Sequence, residues 1–166
     1  MVLPRRWVHV QPVAAKADSI ARAVSDPEVL IASAWLHDIG YAPDIADTGL
    51  HSLDGARWLV RNGWDRRIAG LVAYHSCALY EAAERGLAHV LAGEFPQEFS
   101  PTVDALWFSD MTTGPDGQDL SVRERLQEIR ARYGPNDVVT RFWRHAEPAL
   151  LDAVERTEVR LARQPT

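Results

Sequence analysis

Apolar residues recur along this chain at intervals of three and four positions and nowhere alternate over the length of a strand, so the pattern predicts helices and no convincing strand. The first stripe, Val13, Ala17, Ile20 and Val24, predicts a helix from about His9 to Ala23. Ser25-Asp26-Pro27-Glu28 marks a fresh start, with Asp26 placed to cap the next helix and Pro27 at the first helical position, where its missing N–H is tolerated. That second helix is expected to carry Leu30, Ile31, Ala34 and Trp35 inward and to stop at Gly40, a left-handed terminator. His37 and Asp38 fall in its last turn.

A polar loop from Tyr41 to Gly49 leads into a third helix, about His51 to Asn62, closed by Gly63. Asp65 caps a fourth, in which Ile68, Leu71, Val72 and His75 share one buried stripe. Cys77 to Glu94 reads as one or two weaker helices broken at Gly86. Ser100-Pro101 starts a helix whose Val103, Leu106, Trp107 and Asp110 lie on one face, so an acid ends an apolar stripe. Thr112 to Asp119 lacks the alternating acids of a calcium loop and reads as a turn. Ser121 and Glu124 form a capping box for a helix reaching Tyr133, and the last helical region, about Asp137 to Ala162, is expected to kink or break at Pro148. The last few residues read as a tail.

The expected fold is therefore all-α: a compact single-domain helical bundle of about seven to eight helices, with residues 1–166 as one domain. A length of 166 residues supports one well-buried core and is short for two, and 46% hydrophobic with 25% charged residues excludes a disordered chain. A net charge of −5 repels polyanions, so no nucleic acid is expected as a partner. Cys77 is the sole cysteine, which rules out an internal disulfide and a thiolate-rich zinc site and fits a reducing cytoplasm. No stretch approaches the roughly 20 apolar residues of a membrane span, and Met1 to Val10 has no long apolar run, so no membrane is expected. Trp7, Trp58, Trp64 and Trp143 are expected to be core and helix-packing residues.

The chemistry concentrates in His9, His37-Asp38, His51, His75 and Asp110. Adjacent helical side chains diverge by about 100°, so His37 and Asp38 reach one ion together only near a helix end, which Gly40 supplies. A buried carboxylate such as Asp110 needs a metal, an arginine or a helix end to be tolerated. Arg57 and Arg61 share a helical face and are candidates for holding a substrate phosphate. His89 and His145 are expected to be ordinary, partly exposed histidines.

This ordered set, histidine, then His-Asp, then a distant aspartate, with Ile39-Gly40 after His-Asp, resembles the HD-domain superfamily of metal-dependent phosphohydrolases, in its HDIG branch. The resemblance covers about residues 6–132 and leaves 137–162 as a C-terminal helical extension. It implies that His9, His37, Asp38 and Asp110 hold one divalent transition metal (Mn, Fe, Co, Ni or Zn), since imidazole and carboxylate without thiolate suit these ions. In dinuclear members two further histidines hold a second ion, and His51 and His75 stand in the corresponding order. One or two ions are thus implied, with Asp38, His51 and His75 as the catalytic candidates. The implied activity is a cytoplasmic phosphomonoesterase or phosphodiesterase acting on a small phosphorylated molecule or nucleotide through metal-activated water.

Departures narrow that reading. No Gly-Tyr-Pro motif follows, as in cyclic-di-GMP phosphodiesterases, and Tyr41-Ala42-Pro43-Asp44 does not supply the Glu-Asp pair of guanosine-tetraphosphate hydrolases. Two alternatives share the resemblance: a dinuclear iron oxygenase on the same fold, and a non-catalytic domain that binds a nucleotide or a partner. Ligand identity alone does not separate the first from a hydrolase. The second leaves six filled ligand positions without use.

Overall fold

In a computed structural model residues 4–163 are described, and among them all regular structure is helical apart from one isolated antiparallel bridge, Thr113 to Asp119. Nine α-helices follow in order: α1 Pro4–Ser19, α2 Pro27–Leu36, α3 His51–Arg61, α4 Arg66–Ala73, α5 Ala78–Glu84, α6 Ala88–Glu94, α7 Pro101–Met111, α8 Val122–Tyr133 and α9 Val138–Arg163. Short 3-10 turns lie at Ala21–Ala23, Ile39–Tyr41 and His75–Cys77. The tail expected at the C-terminus includes residues 164–166, which lie outside the described ones.

Three apolar clusters hold these helices together. Leu50, Leu53, Leu59, Val72 and Leu91 join α3, α4 and α6. Val13, Ala17, Leu30, Ala34, Leu71 and Leu106 join α1, α2, α4 and α7. Met111, Leu126, Phe142, Trp143 and Leu150 join α7, α8 and α9. Close to 100% burial of a leucine or valine side chain contributes roughly 1.5–3 kcal/mol, so the bundle's stability comes from these stripes rather than from helix propensity. None of the described helices is long and apolar enough to cross a membrane.

Several boundaries differ from the sequence pattern. The first helix starts at Pro4 and ends at Ser19, with Pro12 inside it, and Ala21–Ala23 is a separate 3-10 turn. Asp26 does not cap α2; its carboxylate accepts from Ser25 and Arg67 instead. Helix α2 ends at Leu36, and Gly40 sits inside the Ile39–Tyr41 turn without a positive φ. Helix α9 runs unbroken past Pro148, which lies at an exposed position. Trp35 is 43% exposed rather than inward and pairs with exposed Trp7, ring centroids 5.8 Å apart. Trp64 is also exposed, while Trp143 is buried and Trp58 packs half-buried on the α3–α4 cluster.

The expected caps at Asp65 and Ser121 are present, and Ser100, where a helix was expected to start, caps α7 as well: each side chain accepts a backbone N–H of the first helical turn. Gly86 separates α5 from α6 at φ 71°.

Candidate metal centre

Helix α1 brings His9, the end of α2 brings His37 and Asp38, the start of α3 brings His51, the turn after α4 brings His75, and the end of α7 brings Asp110. Five separate segments converge on one buried point. His9, His37, Asp38, His75 and Asp110 are all buried, and His51 is nearly so.

The six divide into two triads, His9–His37–Asp110 and Asp38–His51–His75, within each of which the ligand atoms lie within 4.8 Å of one another. In the first, His9 Nε2 is 2.9 Å and His37 Nε2 3.7 Å from Asp110 Oδ1. In the second, Asp38 Oδ1 lies 3.5 Å from His51 Nε2 and 3.9 Å from His75 Nε2, and the two Nε2 atoms are 3.1 Å apart. Asp38 Oδ2 turns the other way, 3.7 Å from His37 Nε2, so one carboxylate faces both triads.

Backbone carbonyls fix the imidazoles. Nδ1 of His9 meets Gly114 O at 2.9 Å, that of His37 meets Ala34 O at 2.7 Å, and that of His75 meets Val72 O at 2.6 Å. A carbonyl only accepts, so each Nδ1 carries the hydrogen and, in the neutral ring, each Nε2 presents a lone pair inward. His37 Nε2 is fully buried and has no hydrogen-bond partner among the described residues. A buried, unsatisfied nitrogen lone pair among carboxylate oxygens fits a divalent cation, and the all-nitrogen-and-oxygen donor set suits the transition metals expected from the sequence.

The electrostatics agree with that assignment. Burial would raise the Asp38 carboxyl, but His37 and Arg6 outweigh it and hold the group well below the usual carboxylate range. Asp110 is depressed in the same way by His37 and His9. Burial and the adjacent His75 push the His51 imidazole well down, and burial with His37 lowers His75, so both remain neutral and able to donate lone pairs near neutral pH. His9 is different: burial opposes its charged form, yet the bond to Asp110 prevails and raises it.

Several residues of the site were not singled out from the sequence. Arg6 Nη1 donates to Asp38 Oδ2 at 3.0 Å, its guanidinium carbon lies 3.8 Å from the centre of the Tyr41 ring, and Tyr41 in turn stacks on His51 at 4.0 Å. Ser76 donates its hydroxyl to Asp110 Oδ2. It does so from a left-handed backbone, φ 47°, followed by Cys77 at φ 62°, both unusual for residues other than glycine. Only the nearness of Arg6 to His9 on one helical face hinted at the first of these. No local pattern announces the kink at Ser76.

A cavity of about 250 Å³ opens over the centre, lined by His9, Asp38, His51, His75 and Asp110 together with Tyr41, Glu81 and residues of α8 and α9. Arg57 and Arg61, expected to hold a phosphate, do not line it. Arg57 donates through Nε and Nη2 to Glu94 on α6, at 2.8 and 2.5 Å, because α3 turns that face toward α6, and Arg61 is exposed. The arginines that line the cavity are Arg6, Arg85, Arg125 and Arg132. His89 and His145 are exposed and lie outside the site, as expected.

A buried histidine–aspartate centre inside an all-helical bundle is what the HD domain defines, and the family model described as HD domain matches residues 6–129, so this chain belongs to the HD-domain family. Neither the curated proteins nor the solved structures yield a match to it. The matched span contains all six metal-type side chains and stops within α8.

Proposed function

We propose that the protein is a metal-dependent phosphohydrolase that cleaves an ester of a small phosphorylated molecule. The observation that carries this reading is the pair of triads joined through Asp38, with the unsatisfied Nε2 of His37 between them. His9, His37 and Asp110 would hold one divalent ion and His51 with His75 a second, with Asp38 available to both. When bound, such ions supply Lewis acidity that activates water and polarises a phosphoryl oxygen.

The chain's own groups prepare the rest. Arg6 holds Asp38 through Nη1 and lines the cavity, so its remaining N–H donors are available to a phosphoryl oxygen in a charge-assisted bond. Tyr41, packed between Arg6 and His51, keeps both from swinging out. Ser76 fixes Oδ2 of Asp110 by donating to it, which leaves Oδ1 facing Nε2 of His9 and of His37. With Nδ1 committed to Val72, His75 offers an unprotonated Nε2, which suits a ligand or a proton acceptor rather than an acid. Apolar Met111, Ile129 and Phe142 in the wall limit bulk water and strengthen each of these interactions.

The test is metal content of protein purified without added metal, paired with a phosphatase and phosphodiesterase screen across manganese, iron, cobalt and nickel. Metal-dependent, oxygen-independent turnover of a phosphate ester is expected. A product that forms only with oxygen uptake would select the oxygenase instead.

A further inference from the structure

Beside the metal centre lies an annex of about 240 Å³ whose wall contains Arg5, Arg6, Arg125 and Arg132 with His9 and Tyr133, and no carboxylate. Arg6, His9, Arg125, Arg132 and Tyr133 also line the main cavity, so the two spaces share a wall. Four guanidinium groups around one small volume repel one another unless anions compensate them.

Their compensation is incomplete. Arg6 is paired with Asp38 at 3.0 Å and exposed Arg5, among the described residues, only with exposed Asp116, at 3.6 Å. Arg125 and Arg132 share a single acid, Glu128: Arg132 donates to it through Nε and Nη2, and Arg125 through Nη1 alone. Two cations on one carboxylate leave a positive charge over. Arg125 is also 94% buried, since its relative exposure is 6%, and its Nε is buried without any hydrogen-bond partner among the described residues. Nε itself is closed off from the annex, so an anion there would be met by the terminal nitrogens of the guanidinium, of which Nη1 is engaged by Glu128.

From this we propose that the annex binds a second anionic group of the substrate, so that the protein acts on small molecules carrying a phosphate or carboxylate in addition to the scissile phosphate. The proposal rests on the hydrolase reading for the word substrate, but the anion site itself does not need a metal. Arg6 stands between the two regions, touching Asp38 and lining both. Tyr133 and Pro115 on the annex wall restrict its size, which favours a compact anion over a polymer.

The experiment is calorimetric titration of chelator-treated protein with inorganic phosphate and, separately, with malonate, for the wild type, Arg125→Gln, Arg125→Lys and Arg132→Gln. Circular dichroism checks that each variant is folded. Saturable binding to the wild type is expected, weakened roughly tenfold or more by Arg125→Gln and by Arg132→Gln, and only partly restored by Arg125→Lys, which returns the charge without the fork. The tighter of the two ligands identifies the second group as phosphate or carboxylate. Should Arg125→Gln not fold, Arg132→Gln, at an exposed position, carries the comparison alone. Equal affinity in wild type and folded variants overturns the annex while leaving metal-dependent turnover untouched. Intact anion binding with no turnover on any phosphate ester leaves the annex standing and removes the hydrolase reading.

Discussion

The backbone of Gly40 approaches that of His51 so closely that a Cβ at position 40 would lie 1.8 Å from the His51 carbonyl oxygen and 2.7 Å from the Gly55 nitrogen. Gly55 answers from α3, where a Cβ would meet the Gly40 nitrogen at 3.0 Å. Glycine is needed here for close approach rather than for a left-handed φ. The contact brings the start of α3 against the turn after Asp38 and so sets His51 beside the His-Asp pair.

Gly40→Ala is therefore expected to destabilise the protein by about 2 to 4 kcal/mol, because backbone and not a flexible side chain must give way. Urea denaturation measures the loss, and metal content after purification should fall with it. A variant as stable and as fully loaded as wild type would contradict the role of the contact.

Asp38→Ala should abolish metal retention and turnover while leaving helical content largely intact, since Asp38 faces both triads. His51→Ala should lower bound metal to about half if two ions are held. Elemental analysis and far-ultraviolet circular dichroism decide both. Unchanged stoichiometry in the His51 variant with slowed turnover would mean that one ion is held and that His51 acts on the substrate.

Ser76 combines a strained backbone with a hydrogen bond to buried Asp110. Ser76→Gly relieves the strain and loses the bond, whereas Ser76→Ala loses the bond and keeps the strain. The alanine variant is expected to be the less stable of the two by about 1 kcal/mol. Thermal melts of chelator-treated protein check the order, and a more stable alanine variant would show that the left-handed backbone costs nothing here.

Glu81 is buried in the cavity wall, and burial raises its carboxyl more than the bond from Arg85 lowers it. A folded value above the unfolded one means that the folded state binds its proton more tightly. The contribution is present in full below the ordinary value of about 4.5 and is lost as pH rises through the folded value. Glu81→Gln, which cannot ionise, should thus gain stability relative to wild type as pH rises from about 4.5 toward neutrality. Denaturation of chelator-treated protein across that range tests it, and a constant difference would exclude the effect.

Much of this molecule was legible in its sequence, for reasons that are local. Stripes such as Val13–Ala17–Ile20 bury because helical periodicity puts them on one face, and the caps at Asp65, Ser100 and Ser121 form because an oxygen near free backbone N–H groups needs only its neighbours. The six metal-type side chains could be named for the same reason, since residue type and order survive in the chain. What only the tertiary structure decided is which groups meet: the turning of Arg57 toward Glu94, the capture of Asp38 by Arg6, the bond from Ser76 to Asp110, and the gathering of Arg125 and Arg132 beside His9. Those pairings join residues dozens of positions apart. They depend on helix packing and on backbone that departs from regular geometry, neither of which a local pattern encodes.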